Sequence, residues 1–310
     1  MNLVKTNITN IGDPFVLTDN GVYYMYATSS SNGFCVWSGT DLDNLQPQGL
    51  CYLAQNSFGI NCFWAPEVVR RADGKYVMFF TARDARLDSL RVGVALADSP
   101  LGPFVDIADN PLLNDGATID ASCFIDDDGK AYLYYVKDCW ENVVDGIHVS
   151  QIYVVRLDDT LTKVISHPVL VAQPTEPWEN KPYPAPLVCE LDDWLQKDER
   201  VYFLWNEGPF VCKKDGLYYL TYSANCFDSR YYGVGLATSN SPTGPFVKQS
   251  KPLLQVNDGQ TCGTGHSMFF DVNGQTMMAF HCHTDYSKPN GNRRFCYCKV
   301  QIADGKITIL

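Results

Sequence analysis

Residues 128–137 read DGKAYLYYVK, and the same turn-then-strand pattern recurs as NGVYYMYATS (20–29), DGKYVMFFTA (73–82), DGLYYLTYSA (215–224) and NGQTMMAFHC (273–282). Asn-Gly or Asp-Gly ahead of aromatic and aliphatic strand formers is the strongest short hairpin signal. The turn glycines Gly21, Gly74, Gly129, Gly216 and Gly274 stand 53, 55, 87 and 58 residues apart, so four units share one size and one carries an insertion. A second element recurs downstream as VGVALADSPLGPF (92–104) and VGLATSNSPTGPF (234–246), with a weaker echo in FCVWSGTDLDNLQ (34–46). Each unit then reads as four short strands. Four-stranded sheets repeated radially make a β-propeller, so the prediction is an all-β fold: a five-bladed β-propeller around a central channel, one domain over residues 1–310 with no appended β-sandwich module.

Composition agrees with a folded β chain and removes several function classes. Aromatic residues make up 13% of the 310, mostly in these strand runs. A formal charge of −11 with no basic run is a poor starting point for binding phosphate backbones, so a nucleic-acid partner is not expected. No apolar run approaches the length that crosses a bilayer, and MNLVKTNITNIGDPF lacks the apolar core of a signal peptide; no membrane partner and a cytoplasmic location are expected. The twelve cysteines contain no C-x-x-C pair and are read as reduced. His281-Cys282-His283 and Cys296-Tyr-Cys298 each put two ligand-type side chains on one strand face, and packed thiols explain them more simply than a metal.

Seven to nine residues before each turn glycine, at the entry to the preceding strand, lie Asp13, Glu67, Asp120, Glu207 and His266. Taken singly, each reads as an ordinary turn or loop residue beside Pro or Gly. Five in register are expected to converge at one end of the channel, where lost solvation and mutual repulsion shift carboxyl pKa values as acid/base chemistry needs.

The motifs Gly-Asp13-Pro14, Trp64-Ala65-Pro66-Glu67, Ile119-Asp120 before its hairpin, Glu207-Gly208-Pro209 and Gly263-Thr264-Gly265-His266, in this order, resemble glycoside hydrolase family 43 over essentially the full chain. That resemblance implies an inverting hydrolase acting on arabinose- and xylose-containing oligosaccharides. It implies Asp13 as the general base that activates water, Glu207 as the general acid, and Asp120 as the carboxylate that orients the acid and tunes its pKa, with a structural hydrogen-bond acceptor as the alternative for Asp120. Glu67 would be structural or sugar-supporting rather than catalytic, and Trp64 would pack on the sugar at the rim, with core packing as its alternative. Arg294 would bind the terminal sugar, with Arg293 competing, since adjacent strand residues face opposite ways. His266 is either a buried, hydrogen-bonded histidine or the neighbour of a water-mediated structural calcium; the chemistry itself requires no cofactor.

The expected activity is exo-acting release of terminal α-L-arabinofuranose, with β-D-xylose as a second or main substrate. Two rivals of other kinds are a glycoside phosphorylase, which needs a cationic cluster for phosphate, and a non-catalytic sugar-binding propeller. The insertion around 138–205, carrying TEPWENKPYPAP, reads as an ordered loop near a channel mouth or a subunit contact.

Overall fold

The computed structural model describes residues 1–181, 203–289 and 291–310. Among them, helix is limited to three-residue 3-10 turns, and nearly every strand is antiparallel to its neighbour. The first sheet runs Gly12–Asp19, Val22–Thr28, Gly33–Gly39 and Gln46–Leu53, each strand beside the next. The second repeats this with Gly59–Arg70, Tyr76–Asp84, Ser89–Ala97 and Val105–Asp106. The third is Thr118–Ile125, Ala131–Lys137, Gln151–Leu157 and Val169–Ala172; the fourth is Asn206–Lys214, Leu217–Ala224, Gly233–Ser239 and Val247–Lys248. In the fifth, Gly265–Val272, Gln275–His283 and Arg293–Ala303 are completed by the N-terminal strand Val4–Thr9, which pairs with Arg293–Ala303. The first strand of each sheet packs against that of the next, and the fifth against the first.

The repeated turns come in two kinds. In the first, fourth and fifth sheets two residues join the strands, with both turn residues at positive φ: Asn20 and Gly21, Asp215 and Gly216, Asn273 and Gly274. The DGK turns are one residue longer. Arg71 and Lys75, like Asp126 and Lys130, flank three residues, of which only the glycine is left-handed. The tyrosine after the turn also has a job between sheets: Tyr76 donates to Asp19 of the first sheet, and Tyr218 donates to Asp126 of the third. Alternation along each strand puts one row of apolar side chains on each face, and the faces of successive sheets close over shared cores such as that of Tyr26, Phe34, Tyr52, Met78 and Phe80.

Within the insertion, Val143–Val144, Ile147–Val149 and Phe203–Leu204 form a small separate sheet. Trp178 is buried and stacks on Tyr222 of the fourth sheet, so this part of TEPWENKPYPAP packs inward. Residues 182–202 lie outside the described residues. The eleven described cysteines are all free thiols, Cys282, Cys296 and Cys298 among the buried ones.

Candidate active site

Each of the five first strands carries the same bulge. Two residues face one on the partner strand between Gly12 and Phe15, Trp64 and Glu67, Ile119 and Ser122, Glu207 and Phe210, and Gly265 and Met268. The first residue of every bulge is left-handed: Asp13 at φ 54°, Ala65 at 44°, Asp120 at 53°, Gly208 at 52° and His266 at 53°. The second is Pro14, Pro66, Ala121, Pro209 or Ser267, and proline fits because the bulge leaves the ladder unpaired there. This corrects the expectation of one polar group at an equivalent place in every sheet. Asp13, Asp120 and His266 occupy the bulge position; Glu207 precedes it by one residue and Glu67 follows it by two. The bulge lies eight residues before the turn glycine in the first, fourth and fifth sheets and nine in the second and third, whose turns are one residue longer, so a spacing of seven to nine also admitted Glu67 and Glu207.

A buried bulge N–H needs an acceptor. All five find one on the preceding sheet. Ala65 donates to Thr28 Oγ1 (2.8 Å), Asp120 to Thr81 Oγ1 (3.1 Å), His266 to Ser223 Oγ (2.7 Å), and Asp13 to His281 Nδ1 of the fifth sheet (3.1 Å). The donor–acceptor geometry thus runs from each sheet to its neighbour and from the first back to the fifth. Thr28, Thr81, Ser223 and His281 all stand seven residues after their turn glycine. The third sheet has Val136 there, which accepts nothing, and Gly208 N–H donates instead to Asp120 Oδ2 at 3.0 Å.

Asp13 is surrounded by donors. Arg293 Nη1 lies 2.8 Å and His266 Nδ1 3.2 Å from its Oδ1, and Thr28 Oγ1 donates to Oδ2 at 2.6 Å. Burial by itself would raise this carboxyl, yet Arg293, His266, His281 and the Thr28 hydroxyl together hold it well below the usual carboxylate range. His281, buried and beside Arg293, is pushed well below the ordinary imidazole value. Arg293 can lie this close because residue 12 is glycine: a Cβ there would sit 2.0 Å from Nη2.

Glu207 lives in the opposite environment. Burial, then the charge of Asp120, raise its pKa well above the normal range, and the hydrogen bond from Tyr232 Oη to Oε1 (2.8 Å) only moderates this. Asp120 is itself raised, first by burial, with His266 and Arg293 pulling the other way. Tyr232 stacks on His281 with ring centroids 5.5 Å apart and packs over Gly265, where a Cβ would meet the ring at 2.1 Å. The surroundings of Asp13 and Glu207 therefore share this stack.

The remaining candidates divide. Asp13, Glu67, Asp120 and His266 line one cavity of about 20 Å³, room for about one water. Glu67 accepts from Cys123 N at 2.7 Å and is pushed up to about 8, chiefly by burial. Trp64 is partly exposed and packs at the edge of an apolar cluster that includes Leu90 and Ile119. Of the two arginines, Arg293 faces Asp13. Arg294 pairs opposite Cys282 and its charge acts on Cys282 and Cys296, the reverse side of the strand, so the geometry corrects the placement expected for Arg294. His266 spends Nδ1 on Asp13, and among the described residues no three His, Cys, Asp or Glu side chains converge as a metal-binding group. That donor set does not fit a directly ligated hard cation. Of Thr28, Tyr232, His281 and buried Asp138, only His281 entered the sequence reading, as a ligand-type side chain set aside in favour of packed thiols. The first and third had a signal: aligned on the turn glycine, the repeats read Thr, Thr, Val, Ser, His at one column of otherwise apolar strands.

The sequence profile of Glycosyl hydrolases family 43 matches residues 8–307. The Beta-D-galactofuranosidase xynD of Aspergillus niger (strain ATCC MYA-4892 / CBS 513.88 / FGSC A1513) is 30% identical over 68% of this chain; the chain spans about half of that relative's length, 54%. A xylosidase/arabinosidase of Bacteroides ovatus is 28% identical, covering 79% of this chain and 72% of its own. Among solved structures, a thermostable family-43 glycoside hydrolase superposes with a TM-score of 0.88 at 38% identity, covering 98% of this chain and 94% of its own. A structure described as an endo-1,4-beta-xylanase from Bacteroides thetaiotaomicron VPI-5482 superposes with a TM-score of 0.80 at 33% identity, covering 98% and 95%.

Proposed function

The chain belongs to glycosyl hydrolases family 43, and on that premise we propose that it is a five-bladed β-propeller enzyme that hydrolyses glycosidic bonds with inversion, releasing terminal α-L-arabinofuranosyl residues, and β-D-xylosyl residues as second substrate, from short oligosaccharides. The five sheets are the blades, and the sheet-to-sheet hydrogen bonds of the bulges support that reading. The observation that carries the mechanism is the split between two buried carboxyls: Asp13 held ionised by Arg293, Glu207 held protonated by burial and Asp120. Two titratable groups driven apart in this way are an acid and a base.

In the proposed reaction Asp13 removes a proton from water as the water oxygen bonds to the anomeric carbon. Glu207 gives its proton to the departing oxygen as the glycosidic bond breaks. The sugar leaves with inverted configuration; Asp13 releases its proton to bulk solvent and Glu207 takes one back. Asp120 keeps Glu207 charged with its proton and fixes the Gly208 backbone beside it. A phosphorylase would need a cationic cluster free to hold phosphate; here Arg293 is turned on Asp13, and His281, pushed well below the ordinary imidazole value, accepts from the Asp13 N–H. Turnover is expected to be independent of inorganic phosphate.

A panel of 4-nitrophenyl α-L-arabinofuranoside, β-D-xyloside and β-D-galactofuranoside, each with Asp13→Asn and Glu207→Gln, tests the assignment. Asp13→Asn is expected to abolish turnover of every substrate. Glu207→Gln should lose on the order of a hundredfold or more on an oligosaccharide and far less on the nitrophenyl glycosides, whose leaving group needs little protonation. Equal losses on both would sink the acid assignment, and a first-formed sugar with retained configuration by proton NMR would sink inversion. Mid-chain cleavage of an arabinan would replace exo with endo action.

A further inference from the structure

Beyond Asp13, Glu67, Asp120 and Glu207, a further buried acidic side chain adjoins this site and has no part in the reaction as written. Asp138 directly follows the strand Ala131–Lys137, whose end pairs Lys137 with Thr118, two residues before Asp120. It is buried, with its N–H on Ala117 O at 2.9 Å. Its carboxylate accepts from Trp140 N at 3.3 Å and from Ser150 Oγ at 3.4 Å. The carbonyl of Ser150 in turn accepts from the N–H of Asn206, the residue before Glu207, at 3.2 Å. One short chain of contacts thus joins Asp138 to the backbone that carries Glu207.

We propose that Asp138 is a positioning residue for the acid: a buried carboxylate whose negative charge, added to that of Asp120, holds the proton on Glu207 at alkaline pH. The proposal rests on Glu207 being the general acid. The charges that act on Glu207 are those of Asp120 from the third sheet, of Asp138, and of Asp13 from the first sheet, and Tyr232 donates to it. The charge of Asp120 acts on Asp138, which has Cys139 Sγ at 3.8 Å, while Arg293 and His266 act on Asp120. Burial, and then the charge of Asp120, push Asp138 up to about 7. Its charge therefore appears as pH rises through neutrality, where a general acid is beginning to be lost. Each new negative charge beside Glu207 raises the pH at which Glu207 gives up its proton. The window of acid catalysis is extended upward.

The test is the pH profile of kcat/KM for α-1,5-arabinobiose and 4-nitrophenyl α-L-arabinofuranoside, or for xylobiose and 4-nitrophenyl β-D-xyloside should the pentose be xylose. With the disaccharide, Asp138→Asn should move the alkaline limb about one pH unit downward, and with the nitrophenyl glycoside by less. A limb that stays in place in the folded variant overturns the proposal. The unmodified protein gives a second readout through 13C-carboxyl NMR, with the Glu207 signal identified by its loss in Glu207→Gln. That signal should show an inflection where Asp138 ionises, and a single inflection would overturn the proposal even if the Asn variant failed to fold. Glu207→Gln separates the two readings. If it discriminates between disaccharide and nitrophenyl glycoside while the Asp138→Asn limb is unmoved, only Asp138 loses its role; if it does not discriminate, the acid assignment falls and Asp138 with it.

Discussion

Asp13 keeps its charge although it is buried, because Arg293 and Thr28 donate to its carboxylate, His266 Nδ1 lies 3.2 Å away, and Arg293 is itself buried against it. An ion pair taken out of water is costly to break by removing one partner. Arg293→Met should therefore raise the Asp13 pKa and move the acid limb of kcat/KM to higher pH, by about one to two units. A lowered carboxyl gives up function only as pH falls through its folded value, so weakening the pair brings that loss closer to neutrality. An acid limb unchanged in the variant would show that Arg293 acts on the sugar alone. The types and order of Asp13, Asp120 and Glu207 were legible in the sequence as motif residues. The choice of Arg293 over Arg294 was legible only as a parity question, and strand pairing answers it: Arg293 lies opposite His283 and Arg294 opposite Cys282, so Arg293 shares its face with His281 and His283.

The bulged first strand is the element that builds the site. A plain strand would alternate its side chains between the two faces, whereas the bulge turns one left-handed residue out of the ladder and frees its N–H for the neighbouring sheet. The third sheet breaks the pattern with Val136, and Asp120 fills the gap by accepting from Gly208. Asp120→Ala should thus lose stability as well as activity, on the order of 1–3 kcal/mol for the orphaned N–H. Adding Val136→Thr supplies the hydroxyl that the other sheets use. The double variant is expected to regain part of the stability over Asp120→Ala, measured by denaturant unfolding with Val136→Thr as control, and to regain none of the turnover of unactivated substrates. Recovery of both would mean that Asp120 acts only as a structural acceptor. The hairpins of this element were readable from Asn/Asp-Gly; the bulges were not, because no residue type marks them uniformly. Their first position holds Asp, Ala, Asp, Gly and His.

Across the whole molecule, buried carboxyls gather at the candidate site, and stability carries the consequence. Glu67 is raised to about 8 by burial, so between the ordinary carboxyl value and about 8 the folded state holds a proton that the unfolded chain has released. Its contribution is complete below that window and is lost as pH rises through it. Asp138, Asp120 and Glu207, also raised, act in the same direction, while Asp13, lowered, contributes above the ordinary carboxyl value and loses its part as pH falls. The thermal midpoint should accordingly fall from pH 5 to pH 8. Glu67→Gln, which mimics the protonated side chain and keeps an acceptor for Cys123 N, should flatten part of that fall. An identical slope in wild type and variant would show that Glu67 does not hold its proton in the fold.

By itself the sequence determined the five hairpin units and the residue types of the acid cluster, because turn chemistry and strand alternation are local and repeat within a dozen residues. Which groups meet was decided by the tertiary structure. Arg293, His281 and Tyr232 reach Asp13 and Glu207 from strands as many as 280 residues away in the chain, and their effect on each carboxyl is set by burial and distance. Neither quantity exists until the sheets have packed.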